Sequence, residues 1–127
     1  MEMKLELIMV PVTDVDEAKA FYEKVGFVVD HDQTPSDDIR FVQLTPPGSA
    51  CSIAIGRGLT QMEPGSLDNL QMVIADADAA FADLTSRGVE ASGVQDLEWG
   101  RFVGFTDPDG NQWALQQLPD WSAAANG

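Results

Sequence analysis

The sequence predicts an α+β fold of two tandem βαβββ modules, which form a curled mixed sheet with the helices outside. Two repeats support this class. At a shift of 61 residues, Arg40-Phe41-Val42 recurs as Arg101-Phe102-Val103, each ahead of a Pro/Gly turn. At a shift of 62 residues, a helix-like stretch of the first half recurs in the second, where the matched pairs are Asp14 and Asp76, Asp16 and Asp78, Ala18 and Ala80, Ala20 and Ala82, and Gly26 and Gly88.

The first module begins with an apolar run of strand length over residues 5–12. Asp14 follows as a helix N-cap, and Glu17, three residues later, completes a capping box. Gly26 is the residue type that ends a helix in a left-handed conformation. Three strands are predicted next, over 27–30, 39–45 and 51–56, the last two joined by a Pro-Pro-Gly turn.

The second module repeats this plan. A strand is predicted over residues 70–75, Asp76 opens a helix and Gly88 ends it. Strands over 89–92, 99–105 and 112–118 follow, with the Asp-Pro-Asp-Gly sequence at 107–110 as the last hairpin turn. We therefore expect a single domain over 1–127, with module 1 over about 3–57, a linker over about 58–67, module 2 over about 68–118 and a flexible tail over 119–127.

Composition excludes several kinds of partner. The formal net charge of -14, from 21 acidic and 7 basic residues, disfavours nucleic acid and anionic membrane surfaces. Such acidity is typical of a surface that keeps a protein soluble, and the alternative is a surface that attracts a cationic ligand. Cys51 is the only cysteine, so an internal disulfide and a cysteine-rich zinc site are excluded. No secretory leader pattern or membrane-spanning apolar run is present, so we expect a cytoplasmic protein.

The chain resembles the vicinal oxygen chelate superfamily, which includes glyoxalases, bleomycin resistance proteins and extradiol dioxygenases. The resemblance covers about residues 3–118. It depends on the tandem βαβββ repeat, on the Asp-Pro-Asp-Gly turn before the last strand, and on the first helix, where Val12-Thr13-Asp14 leads to Phe21-Tyr22 and Gly26-Phe27. It implies a concave ligand pocket on the sheet and, because homodimers are common in the family, a second copy of the chain as partner.

Family enzymes hold a divalent metal with four side chains, typically His, Gln or Glu, on the first and last strand of each module. The resemblance places these positions at Leu7, Ala54, Leu70 and Ala114. None offers the oxygen or imidazole donors that such a cation needs. The sequence therefore predicts a member without the family metal and without a cofactor. His31, the only histidine, is away from all four positions and is predicted to lie at the surface.

Strand alternation extends this set into a predicted ligand-binding surface that is apolar and aromatic with a few amides. Such a surface suits a flat or amphipathic organic molecule. Its predicted residues are Leu7, Met9, Phe41, Gln43, Ser52, Ala54, Leu70, Met72, Trp99, Phe102, Gly104, Gln112, Ala114 and Gln116. The same alternation points Arg40 and Arg101 to the other side, where pairing with carboxylates is favoured over binding an anionic ligand.

Three functions remain open from the residues alone. The leading hypothesis is a non-catalytic binder of a small organic ligand, similar to bleomycin resistance proteins, with a cationic aromatic antibiotic as the favoured chemistry. The alternative is an enzyme of the superfamily, of lyase, isomerase or dioxygenase type, with a displaced metal site or none; its polar groups would be Glu6, Gln43, Glu98 and Gln116. A third is an interaction module whose pocket has closed.

Overall fold

The architecture is seen in a computed structural model, which describes residues 1–120. It divides into two compact units: the first comprises Met1–Asp68 with Asp107–Asn111, and the second comprises Asn69–Thr106 with the segment that starts at Gln112. The elements follow in the order β1 (Leu7–Met9), α1 (Val15–Val25), β2 (Val28–Ser36), β3 (Ile39–Thr45), β4 (Ser52–Arg57), β5 (Asp68–Ile74), α2 (Ala77–Ser86), β6 (Gln95–Leu97), β7 (Gly100–Thr106) and β8 (Gln112–Gln117).

The first unit contains a four-stranded mixed sheet in the order β1-β4-β3-β2. β1 pairs with β4 in parallel, and the other pairs are antiparallel. The α1 helix starts where the Asp14 carboxylate accepts the Glu17 N–H at 3.0 Å and stops at Gly26, whose φ of 123° few other residues adopt. α1 packs on β4 over a fully buried core of Val42, Leu44, Ile53 and Ile55.

The second unit repeats this arrangement with strand order β5-β8-β7-β6. Asp76 caps α2 by accepting the Ala79 N–H at 3.1 Å. The helix packs on β7 and β8, and the core between them contains Val103, Phe105, Trp113 and Leu115. Within this core the Phe105 and Trp113 rings stack with their centroids 5.9 Å apart. Within residues 1–120, no helix has the length and apolar character needed to cross a bilayer.

These elements confirm the predicted α+β class and its two βαβββ modules. The strands form two four-stranded mixed sheets, one in each module. The strand expected over 89–92 is wrong: only Ala91 forms an isolated bridge, with Phe105, and the regular edge strand is Gln95–Leu97. The Ser92 hydroxyl accepts the Gly104 N–H at 2.8 Å and so replaces a main-chain partner there. The predicted tail lies outside the described residues from position 121 onward.

The turn between β7 and β8 belongs to the first unit and is built around a buried carboxylate. One oxygen of Asp107 accepts the N–H groups of Asp109, Gly110 and Asn111 at 2.9–3.0 Å. The other accepts the Tyr22 hydroxyl at 2.7 Å and the Asn111 side-chain amide at 2.8 Å. The Asp-Pro-Asp-Gly turn therefore connects the last two strands and also organises the first unit.

Candidate functional site

In the first unit, the predicted binding residues lie on the sheet face that α1 does not cover. The β1–β4 pairing sets Leu7 opposite Ser52 and Met9 opposite Ala54, and the β3–β4 pairing sets Gln43 opposite Ala54. Residues Leu7, Met9, Phe41 and Gln43 are half-buried, whereas Ser52 and Ala54 are buried. The Ser52 hydroxyl lies 2.6 Å from that of Thr45. This face is mainly apolar, and its hydroxyl groups bond to each other.

In the second unit, alternation along β8 shows which side of the sheet is open. The side chain of Gln117 accepts the Ala77 N–H at the start of α2, at 2.8 Å, so Gln117 lies on the helix side. Its neighbour Gln116 therefore points to the opposite side. The β7–β8 register places further residues on that side. We call this side the open face; its residues are Gln71, Phe102, Gly104, Gln112, Ala114 and Gln116.

The orientation of β5 differs from the predicted one. Gln71 donates its side-chain N–H to Oε1 of Gln116 at 2.6 Å, so Gln71 lies on the open face. Leu70 and Met72, which were expected there, therefore point to the other side of the strand and are half-buried. The prediction is one residue out of register in β5. Gln71 was missed because Leu70 was placed by counting back from Asp76, whereas the 62-residue shift of the repeat matches Met9 with Gln71.

Trp99 lies at the edge of the open face. With Glu98 it forms the short connection between Leu97 and Gly100, the last pair of β6 and β7. Trp99 is 56% exposed, an unusual state for a large aromatic side chain. Its backbone carbonyl accepts the Nε2–H of Gln116 at 2.8 Å. Gln71, Gln116 and the Trp99 carbonyl thus form an uninterrupted series of hydrogen bonds, which we call the amide chain.

A concavity of about 520 Å³ opens beside the same strands. Its walls include Gly104 and Gln112 of the open face and the segment 90–92, which carries the exposed carboxylate of Glu90. A second concavity of about 550 Å³ lies in the first unit near the start of α1 and contains Arg40 and Asp16. These two side chains are paired with each other, and none of the residues that line this concavity belongs to the predicted ligand-binding surface. The concavity in the second unit is lined by Gly104 and Gln112 of that surface.

Arg40 lies on the helix side, as predicted. It donates Nε and Nη2 to Asp32 at 3.1 and 2.9 Å and Nη1 to Asp16 at 2.8 Å. Lys19 adds a bond to Asp32 at 2.8 Å. These hydrogen bonds from Arg40 and then Lys19 hold the pKa of Asp32 well below its ordinary value of 3.8.

Arg101 forms the equivalent cluster in the second unit. It donates to Asp96 at 2.6 Å and to both oxygens of Asp78 at 2.8 and 3.3 Å. Hydrogen bonding to Arg101 lowers the pKa of Asp78. Both arginines are engaged by carboxylates, so they do not form an anion site. His31 is exposed on the edge strand β2, as predicted.

The side chains at the positions where the resemblance places the family's metal ligands offer few donor atoms. Leu7, Ala54 and Ala114 carry no donor atom, and the 62-residue repeat places Asn69, with a single amide oxygen, at the β5 position equivalent to Leu7. Among residues 1–120, no group of three or more His, Cys, Asp or Glu side chains is arranged to hold a metal. The acids named for an enzymatic alternative, Glu6 and Glu98, are both exposed.

Comparison with known proteins identifies the family. Residues 4–115 match the sequence profile of the Glyoxalase/Bleomycin resistance protein/Dioxygenase superfamily, and the chain belongs to this superfamily.

Two solved structures from Streptomyces sp. CB03234 are similar. TnmS3, an antibiotic binding protein, is 39% identical, with a TM-score of 0.83 over 93% of this chain and 98% of that one. A glyoxalase/bleomycin resistance protein is 41% identical, with a TM-score of 0.78 over 90% of this chain and 100% of that one. The uncharacterized protein YetH of Bacillus subtilis (strain 168) is 29% identical over 117 residues, which are 87% of this chain and 94% of YetH.

Proposed function

We propose that this chain binds a small, planar, cationic organic molecule of antibiotic type on the open face of the second unit, without the family metal. The observation that carries the proposal is the open face itself, which presents a phenylalanine and side-chain amides, has an exposed tryptophan at one edge, and has a concavity of about 520 Å³ beside Gly104 and Gln112. Aromatic walls with a few fixed polar groups are typical of sites for organic ligands.

Charge supports the cationic class. Glu90 lines the concavity, Glu98 precedes Trp99, and the chain carries a net charge of -14. A cationic aromatic ligand would stack on the indole and gain attraction from the neighbouring Glu98 and from the negative charge of the chain. The similarity to TnmS3 supports the antibiotic type of ligand.

The first-unit residues Leu7, Met9, Phe41, Gln43, Ser52 and Ala54 remain predicted ligand contacts. Homodimer formation and a cytoplasmic location also remain part of the proposal. The dimer is tested by light scattering of the purified protein at several concentrations.

A thermal-shift panel tests the proposed ligand class. The panel contains proflavine as a planar cation, bleomycin as a cationic antibiotic, anthracene-sulfonate as a planar anion, and the divalent ions of magnesium, manganese, nickel and zinc. Because a ligand stabilises the state it binds, proflavine is expected to raise the melting temperature. The sulfonate and the metals are expected to leave it unchanged. A shift with metals and none with either cation would overturn the proposal and favour a metalloenzyme.

A further inference from the structure

The amide chain has one hydrogen-bonding polarity. The Trp99 carbonyl can only accept, so it must face Nε2 of Gln116, at 2.8 Å. Oε1 of Gln116 then faces Gln71, which must present an N–H, at 2.6 Å. Reversing either amide would bring two acceptors or two donors together. The orientation of both glutamines is therefore set by a backbone group of the residue that carries the indole.

The local packing leaves space for this arrangement. Gln116 is 7% exposed, so the loss of a partner for its amide would not be fully compensated by water. At Gly100, directly after Trp99, an added Cβ would lie 3.1 Å from Nε2 of Gln116 and 2.8 Å from the Gln117 carbonyl oxygen. A glycine at this position lets the buried amide approach the turn.

We propose that Gln71 is a positioning residue that determines specificity: through Gln116 it holds the β6–β7 connection so that the Trp99 indole forms a fixed stacking surface for a planar cationic ligand. This inference rests on the proposed function. Gln71 acts by donating to Oε1 of Gln116, which keeps Nε2 of Gln116 on the Trp99 carbonyl. Because the aromatic surface is already fixed before binding, no conformational entropy is lost in ordering it when the ligand binds, and the affinity is higher.

Two substitutions of Gln71 distinguish a positioning role from a direct electrostatic attraction between residue 71 and the cationic ligand. Gln71→Glu places a carboxylate against the Gln116 oxygen, so the amide chain breaks, while it adds a negative charge that would attract a cation. Gln71→Lys keeps an N–H donor for that oxygen, while it adds a positive charge that would repel a cation. For a cationic probe, the two mechanisms therefore predict opposite orders of affinity.

The experiment measures proflavine affinity by fluorescence titration for the full chain, for both Gln71 variants and for the matched controls Gln33→Glu and Gln33→Lys on exposed β2. At pH 7, Gln71→Glu is expected to weaken binding about tenfold, the scale of one lost hydrogen bond to a buried group. Gln71→Lys is expected to lose less affinity than Gln71→Glu because it keeps the N–H donor, and both Gln33 controls stay within about twofold of the unaltered chain, since an exposed single charge has a small effect. Lowering the pH to about 4 protonates the new carboxyl and restores much of the affinity.

Nitrogen-15 NMR supplies a readout that does not depend on the ligand. The indole N–H signals are assigned by Trp99→Phe and Trp113→Phe. In Gln71→Glu, the Trp99 indole and Gly100 amide signals are expected to shift or broaden, while the buried Trp113 signal stays in place and shows that the fold is intact.

The outcomes distinguish the two proposals. If the unaltered chain does not bind proflavine but the Trp99 signals move in Gln71→Glu, the proposed function fails and the positioning role stands. Suppose instead that the unaltered chain binds proflavine, that Gln71→Glu binds it more tightly than Gln71→Lys does, and that the Trp99 signals do not change. This result overturns the positioning role and leaves the proposed function intact.

Discussion

The two modules are alike on the side that faces their helices and different on the opposite side. On the helix side, an aspartate caps each helix. An arginine on the third strand of each module, Arg40 or Arg101, binds one carboxylate on the helix and another on the second strand of the same module. On the opposite side, the first module is mainly apolar, whereas the second presents an exposed tryptophan and the amide chain.

This difference indicates where function lies. A tandem repeat retains the groups that fold each module, because each helix needs the same cap and the same attachment to its sheet. The opposite side keeps some matched residues, such as Ala54 and Ala114, but it differs at the amide chain, which that requirement does not involve. The polar and aromatic groups that could recognise a ligand are concentrated there, in the second module.

The largest expected effect comes from the buried Asp107 of the turn between β7 and β8. Asp107→Ala leaves three main-chain N–H groups and the Tyr22 hydroxyl without their acceptor, and we expect a loss of about 3 kcal/mol or more in unfolding free energy. Urea denaturation measures it. Tyr22→Phe removes a single bond and should cost about 1 kcal/mol. Equal losses for the two variants would contradict the central role of Asp107.

A matched pair of substitutions sharpens the contrast between the two open sides. Ala54 and Ala114 occupy equivalent positions, opposite Gln43 and Gly104, but Ala54 is 1% exposed whereas Ala114 is half-buried. Ala54→Phe overfills a packed site and should destabilise the fold by about 1–3 kcal/mol. Ala114→Phe should leave stability nearly unchanged and reduce proflavine binding by covering the open face. Denaturation and fluorescence titration measure the two effects. If Ala114→Phe destabilised the fold and Ala54→Phe did not, the packed side would be that of the second module and the open side that of the first.

The arginine clusters should differ in strength although they repeat. The Arg40 side chain is 16% exposed and shares Asp32 with Lys19, whereas that of Arg101 is 35% exposed and has no equivalent lysine bond. We expect Arg40→Ala to cost about 1 kcal/mol, the upper end for surface ion pairs. Arg101→Ala should cost less. Urea midpoints in low and high salt test this order, and the Arg40 effect should shrink with salt.

The smallest effect is a pH dependence. Because the folded pKa of Asp32 is depressed by Arg40 and Lys19, the unfolded chain takes up this proton first as the pH falls. The stabilisation from Asp32 is complete well above its ordinary pKa of 3.8 and is lost progressively below it. Asp32→Asn should therefore flatten the acid side of the stability curve more than Asp78→Asn does. Identical curves for the two variants would indicate that the clusters are equivalent.

Much of the fold could be predicted because its signals are local. Asp14 and Asp76 each precede an amphipathic stretch, and both cap helices in the structure. The edge strand of the second module could not be predicted, because the bonds between Ser92 and Gly104 join residues that are distant in sequence.

The site was predicted less completely. Alternation assigns residues to two sides of a strand but does not say which side faces the helix when both are partly covered. The one-residue error at Leu70 and Met72 arose because Leu70 lies six residues before Asp76, whereas Leu7 lies seven residues before Asp14. The amide chain depends on pairing between β5 and β8, but the 62-residue shift of the repeat matches Met9 with Gln71 and so indicates its side of the strand. The partner of Arg40 on the second strand, Asp32, was likewise fixed by tertiary structure.

Isothermal titration of proflavine into metal-stripped protein tests the central claim most directly. The protein is dialysed against EDTA, titrated, and titrated again after addition of zinc, magnesium or manganese, with Trp99→Ala as the matched variant. We predict binding at one site per chain, with an affinity that changes less than about twofold when metal is added and falls about tenfold or more in the variant. Binding that appears only with metal, or that is unaffected by loss of the indole, would contradict the account.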